Sequence, residues 1–139
     1  EVFKEMVEEQ PNLPTGALAV IYDKNPMEAS GYAAAMADEM KEDVYLAEFY
    51  EYDLDPPVRF KDGVMYLRKK DNSWIAIRAC FRYVTQKPWN RIPVNSKTLV
   101  MNKIVSCLAG GRNKMAAATG YEFFNRVLEP TGLSIRIPE

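Results

Sequence analysis

The sequence predicts an α/β fold of Rossmann-like, three-layer α/β/α type, with a small, mostly parallel sheet and an inserted β-hairpin. Three observations predict it. Ala17-Leu18-Ala19-Val20-Ile21-Tyr22 is an unbroken apolar run of strand length, the pattern of a strand buried on both faces of a parallel sheet. Asn25-Pro26-Met27-Glu28 has the form of a capping box, with Asn25 at the N-cap, Pro26 at the first helical position and Glu28 at the third. It opens a helix to about Lys41, and Val44 to Phe49 then reads as a second strand, making a βαβ unit with a right-handed crossover. Finally, Lys61-Asp62-Gly63 between Val58-Arg59-Phe60 and Val64-Met65-Tyr66-Leu67-Arg68 is a hairpin-turn signal.

The other elements follow in order. Glu1 to Glu9 carries Val2, Phe3, Met6 and Val7 at helical spacing, and Pro11, Pro14 and Gly16 end that helix. The helix after Asn25 is expected to bury Met27, Tyr32, Ala35, Met36 and Met40, with Gly31 and the alanines allowing close approach to a sheet. Tyr50 to Pro57 is an acidic, proline-containing connection, and Lys69 to Asn72 makes a turn. Trp74 to Tyr83 is the longest strand candidate, with Ile75, Ile77, Ala79 and Phe81 on one face and Trp74, Ala76, Arg78, Cys80 and Arg82 on the other. Gln86 to Asn95 reads as a loop in which Trp89 is an aromatic anchor. Ser96 is placed to cap a helix to about Leu108, burying Leu99, Val100, Ile104 and Leu108.

After Gly110-Gly111, Asn113 is placed to cap a last helix running to Val127, which Pro130 and Gly132 end. Leu133 to Ile137 alternates like a strand. The chain reads as a single domain over 1–139, and its start at Glu1 and its end in an apparent strand suggest a piece of a longer protein.

Composition bounds the chemistry. The 139 residues are 47% hydrophobic, enough for one sizeable core. No apolar run approaches the ~20 residues that cross a bilayer, and the acidic start is unlike a signal peptide. Cys80 and Cys107 stand in apolar settings without Cys-x-x-Cys spacing and read as reduced core residues, which points to a cytoplasmic protein. The absence of histidine excludes Ser-His-Asp and Cys-His catalysis and argues against a typical zinc site. The net charge of -1 conceals an asymmetry: residues 1–81 hold nine Lys/Arg and sixteen Asp/Glu, residues 82–139 nine and three. The basic residues of the second part are dispersed, without an aromatic-basic recognition motif. A small anionic substrate is therefore expected rather than nucleic acid or a membrane.

Three loops are placed to carry chemistry: Asp23-Lys24-Asn25, Arg82-Tyr83-Val84-Thr85, and Gly110 to Lys114. In open α/β sheets ligands bind beyond the carboxyl ends of the strands, where the first two loops fall. Arg82 suits a carboxylate, which a guanidinium binds bidentately, or it pairs with Asp23 at a strand end. Asn25 contacts a ligand or only caps its helix. Lys114 at a helix start opposes the macrodipole unless an anion is bound there, and with Arg112 it could hold phosphate or belong to a solvated helix start. No carboxylate pair is marked out as general acid and base.

The final segment, Asn113-Lys114, a helix, then Thr131-Gly132-Leu133-Ser134-Ile135-Arg136-Ile137-Pro138, resembles the junction that leads into the nucleotide-binding domain of ATP-grasp ligases. Earlier features are similar to the substrate-binding domain of eukaryotic-type glutathione synthetases. These are Asn25 at a helix start, a hairpin with Asp62-Gly63, a strand ending Phe81-Arg82, and Leu108-Ala109-Gly110 followed by Arg112 and Lys114. The circularly permuted, glutathionylspermidine-synthase-like proteins share a similar hairpin-bearing domain. The family's Arg-Asp-Gly-Tyr is replaced by Arg82-Tyr83-Val84-Thr85, so Thr85 stands where the family has a substrate-contacting Tyr, and the family's Gln falls near Ala29.

The resemblance implies a pre-ATP-grasp domain of a carboxylate-amine ligase that is not catalytic alone. Asn25, Arg82 and Thr85 would hold a carboxylate substrate, and Arg112 and Lys114 would reach nucleotide phosphates. ATP and Mg2+ would be held by a further ATP-grasp domain. The alternative is a stand-alone α/β module that binds a small anion, or a protein partner, without turnover. A dinucleotide-binding enzyme is disfavoured, since no G-x-G-x-x-G follows Ile21-Tyr22.

Overall fold

The computed structural model describes residues 1–50, 53–84, 91–103 and 114–132. They form a mixed α/β fold with an open, mostly parallel sheet and three α-helices. The chain divides into two compact units, Glu1–Asn102 and Lys103–Glu139.

The first unit runs α1 (Val2–Glu8), β1 (Ala17–Tyr22), α2 (Pro26–Met40), β2 (Val44–Glu48), β3 (Val58–Lys61), β4 (Val64–Arg68), β5 (Trp74–Tyr83) and β6 (Leu99–Met101). The six-stranded sheet has the order β2-β1-β5-β4-β3, with β6 also on β5. β1 pairs parallel with β2 and with β5, and β5 parallel with β6, whereas β3-β4 and β4-β5 are antiparallel. The edge of β5 away from β1 is shared: β4 takes Trp74 to Ile77 and β6 takes Ala79 to Phe81.

Segment 96–103 is thus not the expected helix but a loop and a short strand. Leu99 and Val100 are both buried, on opposite faces of the sheet. Successive apolar residues satisfy a fully buried strand as readily as one turn of helix, and the edge of β5 beyond Ile77 needs hydrogen-bond partners. Ile104 and Leu108 lie outside the described residues.

At the centre of the sheet is a β-bulge. Ala17 stands opposite Ile77 and Leu18 opposite Ala79, leaving Arg78 as the extra residue. The expected single alternation of β5 therefore reverses midway. Ile75 and Ile77 share a core with Cys80 and Val84, whereas Ala79 and Phe81 turn to the opposite face with Leu18 and Val20. Arg78, freed from the ladder, donates from Nη1 to the Gly16 carbonyl at 2.8 Å and to Glu42 Oε2 at 2.7 Å, tying the loop before β1 to the turn before β2.

Both helices of this unit pack on one face. Phe3, Met6 and Val7 of α1 and Met36 and Met40 of α2 meet Leu18, Ala79 and Leu99. On the other face a larger core joins Ala19, Ile21, Phe49, Met65, Leu67, Ile77, Val84, Ile92 and Val100. The buried stripe of α2 is Ala29 and Ala33, while Met27, Tyr32 and Ala35 are exposed, against expectation. Small side chains sit where the helix crosses the sheet, and the large residues one turn away are pushed outward. Gly31 is on the outer side, with nothing beyond its chain neighbours and its own helix backbone within 4 Å of where a Cβ would stand. Its role is not close approach, and Gly31→Ala should raise stability by roughly 0.5–1 kcal/mol, measured by urea unfolding.

The Asp62-Gly63 turn has φ of 53° and 81°, as a two-residue hairpin demands. Its Gly63 carbonyl is gripped by the Lys97 N–H at 2.8 Å and the Ser96 hydroxyl at 3.1 Å.

In the second unit α3 (Lys114–Leu128) passes into a 3-10 turn, Glu129–Thr131. Gly132, at φ 71°, takes the left-handed conformation that ends helices. The expected strand 133–137 lies outside the described residues. No helix among the described residues is long and apolar enough to cross a membrane.

Candidate functional site

β2, β1, β5 and β6 all run the same way, so their carboxyl ends share one edge of the sheet. Because the α2 crossover leaves β1 towards β2 while β5 flanks β1 on the other side, the chain diverges between β1 and β5. Such a switch point is where α/β sheets open a crevice. Tyr22 and Tyr83 are paired in register there, which brings the Asp23-Lys24-Asn25 loop against the end of β5.

Asn25 and Glu28 do not form the capping box their spacing predicts. Asn25 has φ 50° and ψ 65°, a left-handed rather than extended conformation, and its side chain makes no capping bond. Its backbone carbonyl still accepts the Ala29 N–H at 3.0 Å, so the helix starts without help from the side chain. The Asn25 amide instead lies beside the Tyr83 phenol and favours its ionised form, while the phenol donates to Glu28 Oε2. Two residues spaced for a cap thus clamp the start of α2 to β5. The Tyr83 ring packs at 5.2 Å from Tyr32, which meets Phe81 edge-on at 5.1 Å.

On the β2 side, Tyr22 donates to Glu48 Oε1 at 3.3 Å, and Tyr50 stands near the same carboxylate. Asp23 is buried, and its charge acts on Tyr50. The edge is therefore lined by phenols and carboxylates. Hydrogen bonding to Glu28 raises the Tyr83 pKa, and desolvation, followed by the charge of Glu48, raises those of Tyr22 and Tyr50. A raised phenol pKa favours the protonated form in the fold. That contribution is complete below the ordinary value near 10 and is lost as pH climbs through the folded value. Absorbance titration at 295 nm should show Tyr83→Phe removing a component that ionises later than the exposed tyrosines. An unchanged late component would break the assignment.

Arg82 is 6% exposed. Its Nε donates to the Asn102 carbonyl at 2.7 Å and Nη1 to the Val84 carbonyl at 3.1 Å, so it joins the ends of β5 and β6. The bulge places it there, on the face of Cys80 and away from Tyr83. Cys80 is buried and free, and burial pushes its thiol up to about 12. Lys114 is exposed at the first position of α3. Thr85, Arg112, Asn113, Trp89 and Cys107 lie outside the described residues. Among the sequence-predicted site residues the fold brings the Asn25 loop and the Arg82-Tyr83 strand end together. Tyr83 and Glu28 are the members that spacing alone did not single out, because each has an adequate local role, in a strand and in a cap.

A comparison of the chain with protein families, curated proteins and solved structures finds no match in any of the three.

Proposed function

We propose that the chain is the substrate-binding, pre-ATP-grasp part of an ATP-dependent carboxylate-amine ligase and is not catalytic alone. The observation that carries this reading is the meeting, at the switch point of the sheet, of the two loops whose Asn25 and Arg82 the family resemblance assigns to substrate. A helical layer over the second face of the sheet would complete the Rossmann-like three-layer form.

In this reading Asn25 and Tyr83 offer hydrogen bonds to a substrate at the crevice mouth. Arg82, engaged by two backbone carbonyls, contributes positive charge from beneath and fixes the strand ends. The carboxylates Glu28 and Glu48 suit the amino group of such a substrate. Lys114, with Arg112, would serve the phosphates of ATP. By the resemblance, Mg2+ would be held by the further ATP-grasp domain; among the described residues no group of three or more His, Cys, Asp or Glu side chains could hold a metal ion.

The engaged state of the Arg82 guanidinium favours one second reading, a binding module without turnover. Calorimetric titration with amino acids and short peptides, with and without Mg-ATP, separates the two. The ligase reading expects a carboxylate-bearing ligand whose affinity falls about tenfold in Tyr83→Phe, a loss of about 1.4 kcal/mol on the scale of a hydrogen bond to a charged group. It also expects ATP turnover only when the longer parent protein is assayed. Binding with no ATP turnover by that parent would leave the module, and no binding at Tyr83 would remove both.

A further inference from the structure

The hairpin side of the sheet carries a second surface, built on β3, β4 and the first half of β5. Along β3, β4 and the first half of β5, Val58, Met65, Leu67 and Ile77 point into the core. Alternation then sends Arg59, Tyr66, Arg68 and Trp74 to the other face. Arg59 is the register partner of Tyr66, and Arg68 of Trp74, so the four form one contiguous patch. The Arg59 guanidinium carbon lies 3.9 Å from the centre of the Trp74 ring and 6.0 Å from that of Tyr66, and Arg68 approaches Trp74 at 5.7 Å. Arg59 is exposed while its guanidinium carbon lies over the indole, so the guanidinium is open to a ligand from solvent.

Charge adds to this arrangement. Arg68 is paired with Asp55, and Lys69 with Asp71 in the adjoining turn. Arg59, Lys61 and Lys70 make no ion pair among the described residues, and the carboxylates of the same segment are Asp62 in the hairpin turn and the already paired Asp55 and Asp71. A planar, cation-capped aromatic stack with unpaired cations beside it matches a ligand that offers both π-faces and phosphates.

We propose that this face binds single-stranded nucleic acid. Bases would stack on the Arg59-Trp74 pair and on Tyr66, while Lys61, Lys70 and Arg59 would neutralise the backbone. A duplex hides its base faces. An acidic peptide would use the cations and leave the stack idle. A single nucleotide would gain one stack and one or two ion pairs on an open sheet face, whereas small-molecule sites are concave. The sequence argument against nucleic acid concerns the dispersed basic residues of 82–139; the patch lies in the acidic part of the chain, where residues 59, 66, 68 and 74 are separated by two turns and converge only on the folded sheet.

The test is fluorescence anisotropy of the intact chain with labelled oligothymidylate of about twelve nucleotides, a length suited to a small sheet platform. A duplex of equal length, polyglutamate and ATP are the competitors. The expected results are preference for the single strand, weakening with salt at a slope of about −1.5 to −2 for two to three phosphates, and quenching of indole emission. Arg59→Ala should lose about tenfold or more, the scale of one base stack. Arg59→Lys should recover little of it, because charge without the planar group does not stack. Arg59 is exposed, so both variants should fold, which a thermal melt checks. Equal affinity for the duplex, displacement by polyglutamate or ATP as readily as by oligonucleotide, an unaffected Arg59→Ala, or full rescue by Lys would each overturn the proposal.

Discussion

Thr98→Val should destabilise the protein by about 2–6 kcal/mol although it changes almost no volume. Thr98 is fully buried. Its hydroxyl accepts the Met65 N–H at 2.8 Å and donates to the Ile77 carbonyl at 2.6 Å. Met65 and Ile77 are register partners, so the hydroxyl stands inside the β4-β5 ladder, at the place where the edge of β5 passes from β4 to β6. Valine would leave a donor and an acceptor unpaired in the core, at roughly 1–3 kcal/mol each. Thr98→Ser keeps both bonds and loses one methyl, for about 1 kcal/mol. Urea unfolding of both variants decides the matter. A Val variant no weaker than the Ser variant would mean that the strands close and bond directly, making the hydroxyl dispensable.

Thr98 also shows where sequence reading reaches its limit. The bounds of β1 and β5, the hairpin turn and the extent of the last helix were legible, because each is written in a local signal: an apolar run, an Asp-Gly pair, a glycine after a helical period. The strand at Leu99 was not, since Leu99 and Val100 serve helix or strand equally and only the vacant edge of β5 chooses. The same holds for the site. Asn25 and Glu28 have cap spacing, and nothing local says that a phenol from β5, more than fifty residues away, competes for both. Arg82 was legible as a residue at a strand end, but its face depends on a bulge at Arg78 that leaves no mark in the alternation of β5. The Arg59-Trp74 stack was invisible for a like reason, as cross-strand neighbours are set by pairing.

The bulge yields the second large effect, at Gly16. A Cβ there would lie 2.4 Å from the Ala76 carbonyl oxygen, 2.8 Å from its carbon and 3.0 Å from the Arg78 nitrogen, all backbone atoms of β5. The glycine is required by space, since no side chain could rotate out of the way. Gly16→Ala must therefore shift either the entry to β1 or the bulge itself, at about 3 kcal/mol or more, which for a domain of this size is a fall in Tm of roughly 10–20 °C. The damage should not stay local. The Gly16 carbonyl accepts Arg78, which also holds Glu42, and the bulge decides that Arg82 faces Cys80 while Tyr83 faces Glu28. Differential scanning calorimetry with Gly31→Ala as the control gives opposite signs for the same change of residue. If Gly16→Ala melts like the unaltered chain, β5 yields at Ala76, and the bulge cannot be what fixes the geometry at the ends of β1 and β5.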